Sequence, residues 1–196
     1  MDIFGGLVVV MVIILAYRMY SRSETANLKC VIAGKDGNKY CVRDRDDVPK
    51  AANLMADVKT NMSKLVKHLE EKHSNKPHCE RIIESFDGIR IVETLPTSVH
   101  TAYSENKGEK IALCLNKKQK TGDKKLIDLN TLTFVALHEL AHVGTKSEGH
   151  KPEFWNNFKF LLEEASSIGI YEPIDYKKEN TSYCGDTLTD NPLFDL

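Results

Sequence analysis

The chain has no CxxC pair, no internal repeat, no low-complexity segment and no methionine beyond Met62. Its five cysteines, Cys30, Cys41, Cys79, Cys114 and Cys184, are odd in number and widely spaced. That argues against a disulfide scaffold or a structural zinc knuckle and favours a reducing compartment. Cys30 and Cys41 are the exception, since a hairpin would bring them face to face. Neither sign of charge is in excess: the formal net charge of the 196 residues is -1. The basic footprint of a nucleic-acid binder is therefore missing, and no direct nucleic-acid binding is expected. With 41% hydrophobic and 28% charged residues, the composition supports a packed core and excludes general disorder.

Long apolar runs are scarce, and a single one stands out. IFGGLVVVMVIILAY, from Ile3 to Tyr17, has no charged side chain; Asp2 precedes it, and Arg18 and Arg22 follow. A helix over residues 3–20 would be about 27 Å long, close to a thin bilayer. Residues 1–22 are accordingly expected to be a transmembrane anchor, with membrane contact through residues 3–20. The flanking arginines put the N-terminus outside and the rest of the chain in the cytosol. A Met-Asp start without a following A-x-A site argues against a cleaved signal peptide.

Residues 23–47 read as a linker and β-hairpin, with LKCVI and KYCVR flanking a Gly-Lys-Asp-Gly-Asn turn. Residues 48–196 then read as one domain. A helix begins near Val48-Pro49, capped by Asp46 or Asp47, and runs to about His73. Its apolar face is Ala52, Met55, Val58, Met62, Leu65, Val66 and Leu69. A short helix spans 78–86. Ile89 to Leu95 and Glu109 to Asn116 are strand candidates, and 117–125 is a basic loop. A helix over 131–143, capped by Asp128 or Asn130, has Gly144 just past its end; another runs from Pro152 to before Gly169. Strands and helices do not alternate, so the fold class is α+β.

The chemistry lies in HELAHVGTKSEGH, His138 to His150. Residues i and i+4 share one helical face, so His138 and His142 can grip one ion, and imidazole nitrogen suits Zn2+. Glu139 sits about 100° around the helix. It reaches a water acidified by the metal without ligating the ion, which is the position of a general base. The helix is otherwise apolar, and buried polar groups need partners. His150 is the expected third ligand, because a chain reversal before Pro152 would return it over the helix end. The alternative is Glu163 or Glu164 on the next helix, with Glu148 as a minor candidate. The metzincin spacing fails: it needs glycine at 145 and histidine at 148, where Thr145 and Glu148 stand.

HELAHVGTKSEGHKPEFWNNFKFLLEEA resembles the metal-binding stretch of WLM and SprT-like metallopeptidases: HExxH, a loop with a third histidine after glycine, then a helix opening with an aromatic residue. Those positions are His138, Glu139, His142, His150 and Phe154. The resemblance covers residues 109–168. It implies a minimal zincin-like domain with a small mixed sheet, peptide-bond hydrolysis, and a protein or peptide substrate paired to an edge strand, here EKIALCLN. An apolar N-terminal segment on such a domain resembles proteins of large eukaryotic DNA viruses.

The expectation is therefore a membrane-anchored, zinc-dependent metallopeptidase. The alternatives are a zinc-binding structural or interaction module without turnover, and a repair protease acting on DNA–protein crosslinks. The anchor and the neutral charge weigh against the last. His68, His73 and His78 stand five apart, off-register for one face, and read as a solvated helix end. His100 and Tyr103, in a loop before the expected edge strand, and Tyr171, Tyr176 and Tyr183, after the closing helix, are minor candidates for stabilising an oxyanion. Cys184 reads as a buried free thiol, and Trp155 as packing beneath the site.

Overall fold

The computed structural model describes residues 3–21, 23–117 and 125–194. Most of the expected basic loop, residues 118–124, and Arg22 lie outside them. Helix α1 (Ile3–Ser21) and a single turn α2 (Glu24–Asn27) precede the antiparallel hairpin of β1 (Leu28–Ile32) and β2 (Lys39–Arg43). Helices α3 (Val48–His73) and α4 (Pro77–Phe86) follow, then β3 (Arg90–Glu93), β4 (Ala102–Glu105) and β5 (Lys110–Leu113). Helices α5 (Leu129–Gly144) and α6 (Pro152–Ser167) come next, and a small hairpin of β6 (Thr181–Tyr183) and β7 (Asp186–Leu188) closes the chain. The class is α+β, as expected.

Local chemistry explains the helix starts. Asp47 caps α3 by accepting from Lys50 N–H at 3.0 Å, with proline in the first turn. All seven apolar positions read from its periodicity are buried. Of the two candidate caps for α5, Asp128 does the capping, accepting from Thr131 N–H at 2.8 Å. Helix α5 packs against α3, α4, α6 and strands β4 and β5. A helix covered on so many sides must be apolar nearly all round, which its sequence is.

The three-stranded sheet corrects one expectation. Its order is β3-β5-β4, with β5 parallel to β3 and antiparallel to β4. EKIALCLN therefore supplies the interior strand, and all four residues of β5 are buried. Continuous apolar sequence suits a strand covered on both faces and paired on both sides, so it marks the centre of a sheet. The free edge belongs to β4, Ala-Tyr-Ser-Glu, whose four residues are only half-buried. That strand was missed because it is short and its mixed side chains do not alternate.

The hairpin is tied to the sheet by buried charge. Arg43 and Arg45 both meet Glu93, and Arg43 Nε donates to the Thr94 carbonyl at 2.7 Å. Two disulfides, Cys30–Cys41 and Cys114–Cys184, correct the reading of mostly free thiols. The second joins the end of β5 to the C-terminal segment across 70 residues of sequence, too far apart for spacing to reveal. Cys184 is thus no free thiol, and the expectation of a reducing compartment loses its basis. Cys79 is free and buried, and burial pushes its thiol up to about 11.

The N-terminal segment also departs from expectation. It is helical, and residues 7–20 are exposed on every side. Yet among the described residues no helix is long and apolar enough to cross a membrane. The charge-free stretch ends at Tyr17, and Arg18 stands in the last turn of α1. Fifteen residues of helix reach only about 22 Å, short of a hydrocarbon core of about 30 Å. The single-pass assignment, with the N-terminus outside and the rest cytosolic, is withdrawn.

Candidate metal centre

Helix α5 supplies His138, Glu139 and His142, and the loop 145–151 supplies His150. His150 Nε2 lies 3.0 Å from His138 Nε2 and 3.2 Å from His142 Nε2. The three histidines thus converge on one point. The ring of Phe154, two residues into α6, lies against all three imidazoles, stacked on His142 at 4.2 Å and 4.8 Å and 4.6 Å from His138 and His150. The aromatic floor is therefore Phe154. Trp155, expected there, reaches the His150 ring at 5.5 Å.

The loop that carries His150 is held from several sides. Thr145 Oγ1 donates to the Ala141 carbonyl at 2.7 Å and accepts from buried Asn157 Nδ2 at 2.9 Å. Lys107 Nζ donates to the Thr145 and Ser147 carbonyls at 2.8 and 3.4 Å. The Glu153 carboxylate accepts from Lys146 and Ser147 N–H at 3.2 and 3.1 Å. Two glycines shape this region, and the first, expected just past the helix end, lies inside it. Gly144 is the last residue of α5, and a Cβ there would meet Ile82 Cδ1 at 2.9 Å and the His78 carbonyl at 3.0 Å. It permits close approach of α4. Gly149, with φ +73, is the residue that needs left-handed backbone, and it turns the chain back to present His150.

Glu139 is buried at 5% exposure, and its carboxylate accepts the backbone N–H of Ser104 on β4. Burial pushes its acid up to about 8. Burial, then the neighbouring His142 and His150, holds His138 down to about 3. Burial, then His150 and Lys107, holds His142 down to about 4. Both imidazoles are thus neutral at pH 7, the form that offers a lone pair to a metal.

The alternative ligands stand elsewhere. Glu163 is exposed, and Glu164 pairs with His68 and His73 on α3. Glu148 lines the cleft beside His150. That cleft, about 470 Å³, runs between β4 (Ala102, Tyr103, Ser104) and the histidines. Tyr103 borders it, whereas Tyr171, Tyr176 and Tyr183 are buried in the core. The Tyr183 hydroxyl accepts from Cys114 N–H at 3.0 Å, so it braces β5 and does not face a substrate. A larger groove, about 840 Å³, lies between Lys35, Asp47, Asn53 and Ile127. It has mixed charges and no convergent donor set, so the chemistry belongs to the smaller cleft.

No protein-family profile matches the chain. An uncharacterised protein of Acanthamoeba polyphaga mimivirus is 29% identical over 191 residues, which cover 95% of this chain and 94% of that protein. An uncharacterised protein of Invertebrate iridescent virus 6 is 43% identical over 76 residues, 39% of this chain and 41% of its own length. The expected likeness to proteins of such viruses therefore holds. Among solved structures, Wss1 from Saccharomyces cerevisiae superposes with a TM-score of 0.48 at 22% identity, covering 63% of this chain and 83% of that one. A Wss1 mutant gives 0.49 at 20% identity, with 65% and 86% covered. At that level of likeness the functional reading rests on the site itself.

Proposed function

We propose that the protein is a zinc-dependent peptidase, with His138, His142 and His150 as metal ligands and Glu139 as general base. The observation that carries this reading is the convergence of three imidazole nitrogens beside a buried glutamate, next to the free edge of β4.

The donor set fits the metal. His150 Nε2, at 3.0 Å from His138 Nε2 and 3.2 Å from His142 Nε2, has a single proton or a single lone pair and cannot satisfy both neighbours at once. A cation at their common point satisfies all three. Imidazoles at zinc's usual distance of about 2.0–2.1 Å stand roughly 3.3 Å apart around a tetrahedron, so a relaxation of a few tenths of an ångström admits the ion. Three protein ligands leave one position open, the pattern of a catalytic site; a structural site is closed by four. A metal held there supplies a Lewis acid that acidifies water and polarises a carbonyl.

The chain's own groups do the rest. Glu139 accepts the proton of the attacking water and passes it to the leaving amine. The Ser104 N–H holds the Glu139 carboxylate in place, which links the base to the edge strand. The side of β4 away from β5 has no strand beside it and borders the cleft, so an extended peptide can lie along it, a mode that gives affinity with little sequence selectivity. The substrate class is therefore an extended or unfolded segment of protein.

A zinc module without turnover has no use for Glu139, and that favours the enzyme. The repair-protease alternative loses the anchor as a counter-argument; the balanced charge still lends it no support. Replacing Glu139 by Gln tests the assignment. Zinc content should be retained and cleavage of an unfolded protein lost; cleavage that survives would sink the general-base role.

A further inference from the structure

We infer that His68, His73 and Glu164 form a second divalent-metal site, suited to zinc, that staples the C-terminal end of α3 to α6. His68 Nε2 lies 2.7 Å and His73 Nε2 3.1 Å from the same oxygen, Oε2 of Glu164. The three ligand atoms lie within 4.8 Å of one another, the only such group besides the HELAH cluster among the described residues. The side chains are about one-fifth exposed, at 21%, 24% and 19%. That is dry enough to hold an ion and open enough to admit one.

Two neutral imidazoles and one carboxylate are a donor set that zinc takes, and the single negative charge offsets half of the ion's charge. The helix geometry explains how residues five apart cooperate. On α3 their directions differ by about 140°, so one ring approaches from each flank and Glu164 reaches between them from α6. The ring of Phe160, also on α6, packs edge-on against His73 at 5.1 Å and limits its rotation. The two distances to Glu164 Oε2, 2.7 and 3.1 Å, are a little under the roughly 3.3 Å that separates donors in zinc's coordination sphere.

The consequence reaches the first centre through α6. That helix also carries Phe154 and Phe158, whose rings lie 4.8 and 5.1 Å from His138. An ion fixing α6 against α3 therefore steadies the aromatic floor under the HELAH imidazoles. It takes no part in hydrolysis itself. The competing occupant is a proton on each ring: the same groups then make two hydrogen bonds to one carboxylate oxygen. The inference stands independently of the peptidase reading, because no residue is shared.

The test is zinc per chain in the full-length protein, by elemental analysis after equilibration with buffered free zinc. Wild type should hold two ions. Glu164→Gln should hold one, and so should the double variant His68→Ala/His73→Ala. His150→Ala should lose the other ion and keep the one that depends on Glu164. Gln preserves the shape and accepts the same hydrogen bonds, so Glu164→Gln should melt like wild type in chelator. At zinc a hundredfold above Kd, wild type should gain roughly 5–10 °C more in Tm than Glu164→Gln. Cobalt substitution should give a second set of d–d bands that vanishes with Glu164→Gln. Equal zinc content and equal cobalt spectra in wild type and Glu164→Gln would overturn the site, leaving the His150-dependent ion untouched.

Discussion

The two histidine clusters use similar donors and are built in opposite ways. In the first, two ligands sit four apart on one buried helix, and the third follows within eight residues. In the second, the rings are five apart near a helix end, and their carboxylate partner lies 96 residues from His68. The first is crowded by Phe154 and shares a cleft with the buried Glu139. The second joins α6 to α3 through Glu164, which lies between His68 and His73. In the reading proposed for each, similar donors serve turnover in one cluster and stapling in the other, according to what stands next to them.

The sharpest way to break the contrast is Glu139→Gln. It should lower cleavage by roughly 10²–10⁴-fold with zinc retained at the first centre, whereas Glu164→Gln, which acts on that centre only through the footing of α6, should lower cleavage by a few-fold at most. Parallel loss in both variants, measured on one unfolded substrate, would mean that the clusters are not separable. Next in size, His150→Ala should weaken zinc at the first centre by more than about 100-fold in a chelator competition, since losing a ligand outweighs losing a group that orients one. An unchanged affinity would return the third position to another residue.

The loop supports should matter less. Asn157→Leu removes the donor to Thr145, and Lys107→Met removes the tie to the Thr145 and Ser147 carbonyls. Each should cost about tenfold in zinc affinity at the first centre, and neither should affect the second. The smallest effect concerns pH in the metal-free protein. Glu139 titrates near 8 when folded, above its ordinary value of 4.5, so acidification from pH 8 stabilises the fold through it. His138 and His142 titrate near 3 and 4, below their ordinary 6.5, so their contribution is present above pH 6.5 and lost as the pH falls towards 4. Below 6.5 two losses oppose one gain. The urea midpoint of wild type relative to His138→Gln/His142→Gln should therefore drop between pH 6.5 and 4.5, and a flat difference would contradict the burial of the imidazoles.

How much was legible follows from distance along the chain. Helix α3 was readable because seven apolar residues repeat within one element. His138, Glu139 and His142 were readable because a single helix sets their directions, and His150 because a short loop limits where it can go. Strand β4 was not, since Ala-Tyr-Ser-Glu carries no period of its own and pairs only because β5 lies beside it. EKIALCLN showed its apolar character correctly, but whether an apolar strand lies at an edge or at the centre depends on its neighbours. The N-terminal run shows the limit of composition: it is apolar and helical, yet its charge-free length falls short of a span.

Taken alone, the sequence determined whatever depends on residues within a few turns of each other: helix periodicity, the caps, the two-histidine face and the glutamate beside it. Only the tertiary structure decided which strand stays open, why Gly144 is glycine, that Cys114 meets Cys184, and that Glu164 belongs to His68 and His73. The physical reason is that local backbone geometry is dictated by neighbours in the chain. Long-range contacts are chosen by the packing of whole elements, to which any one side chain contributes little.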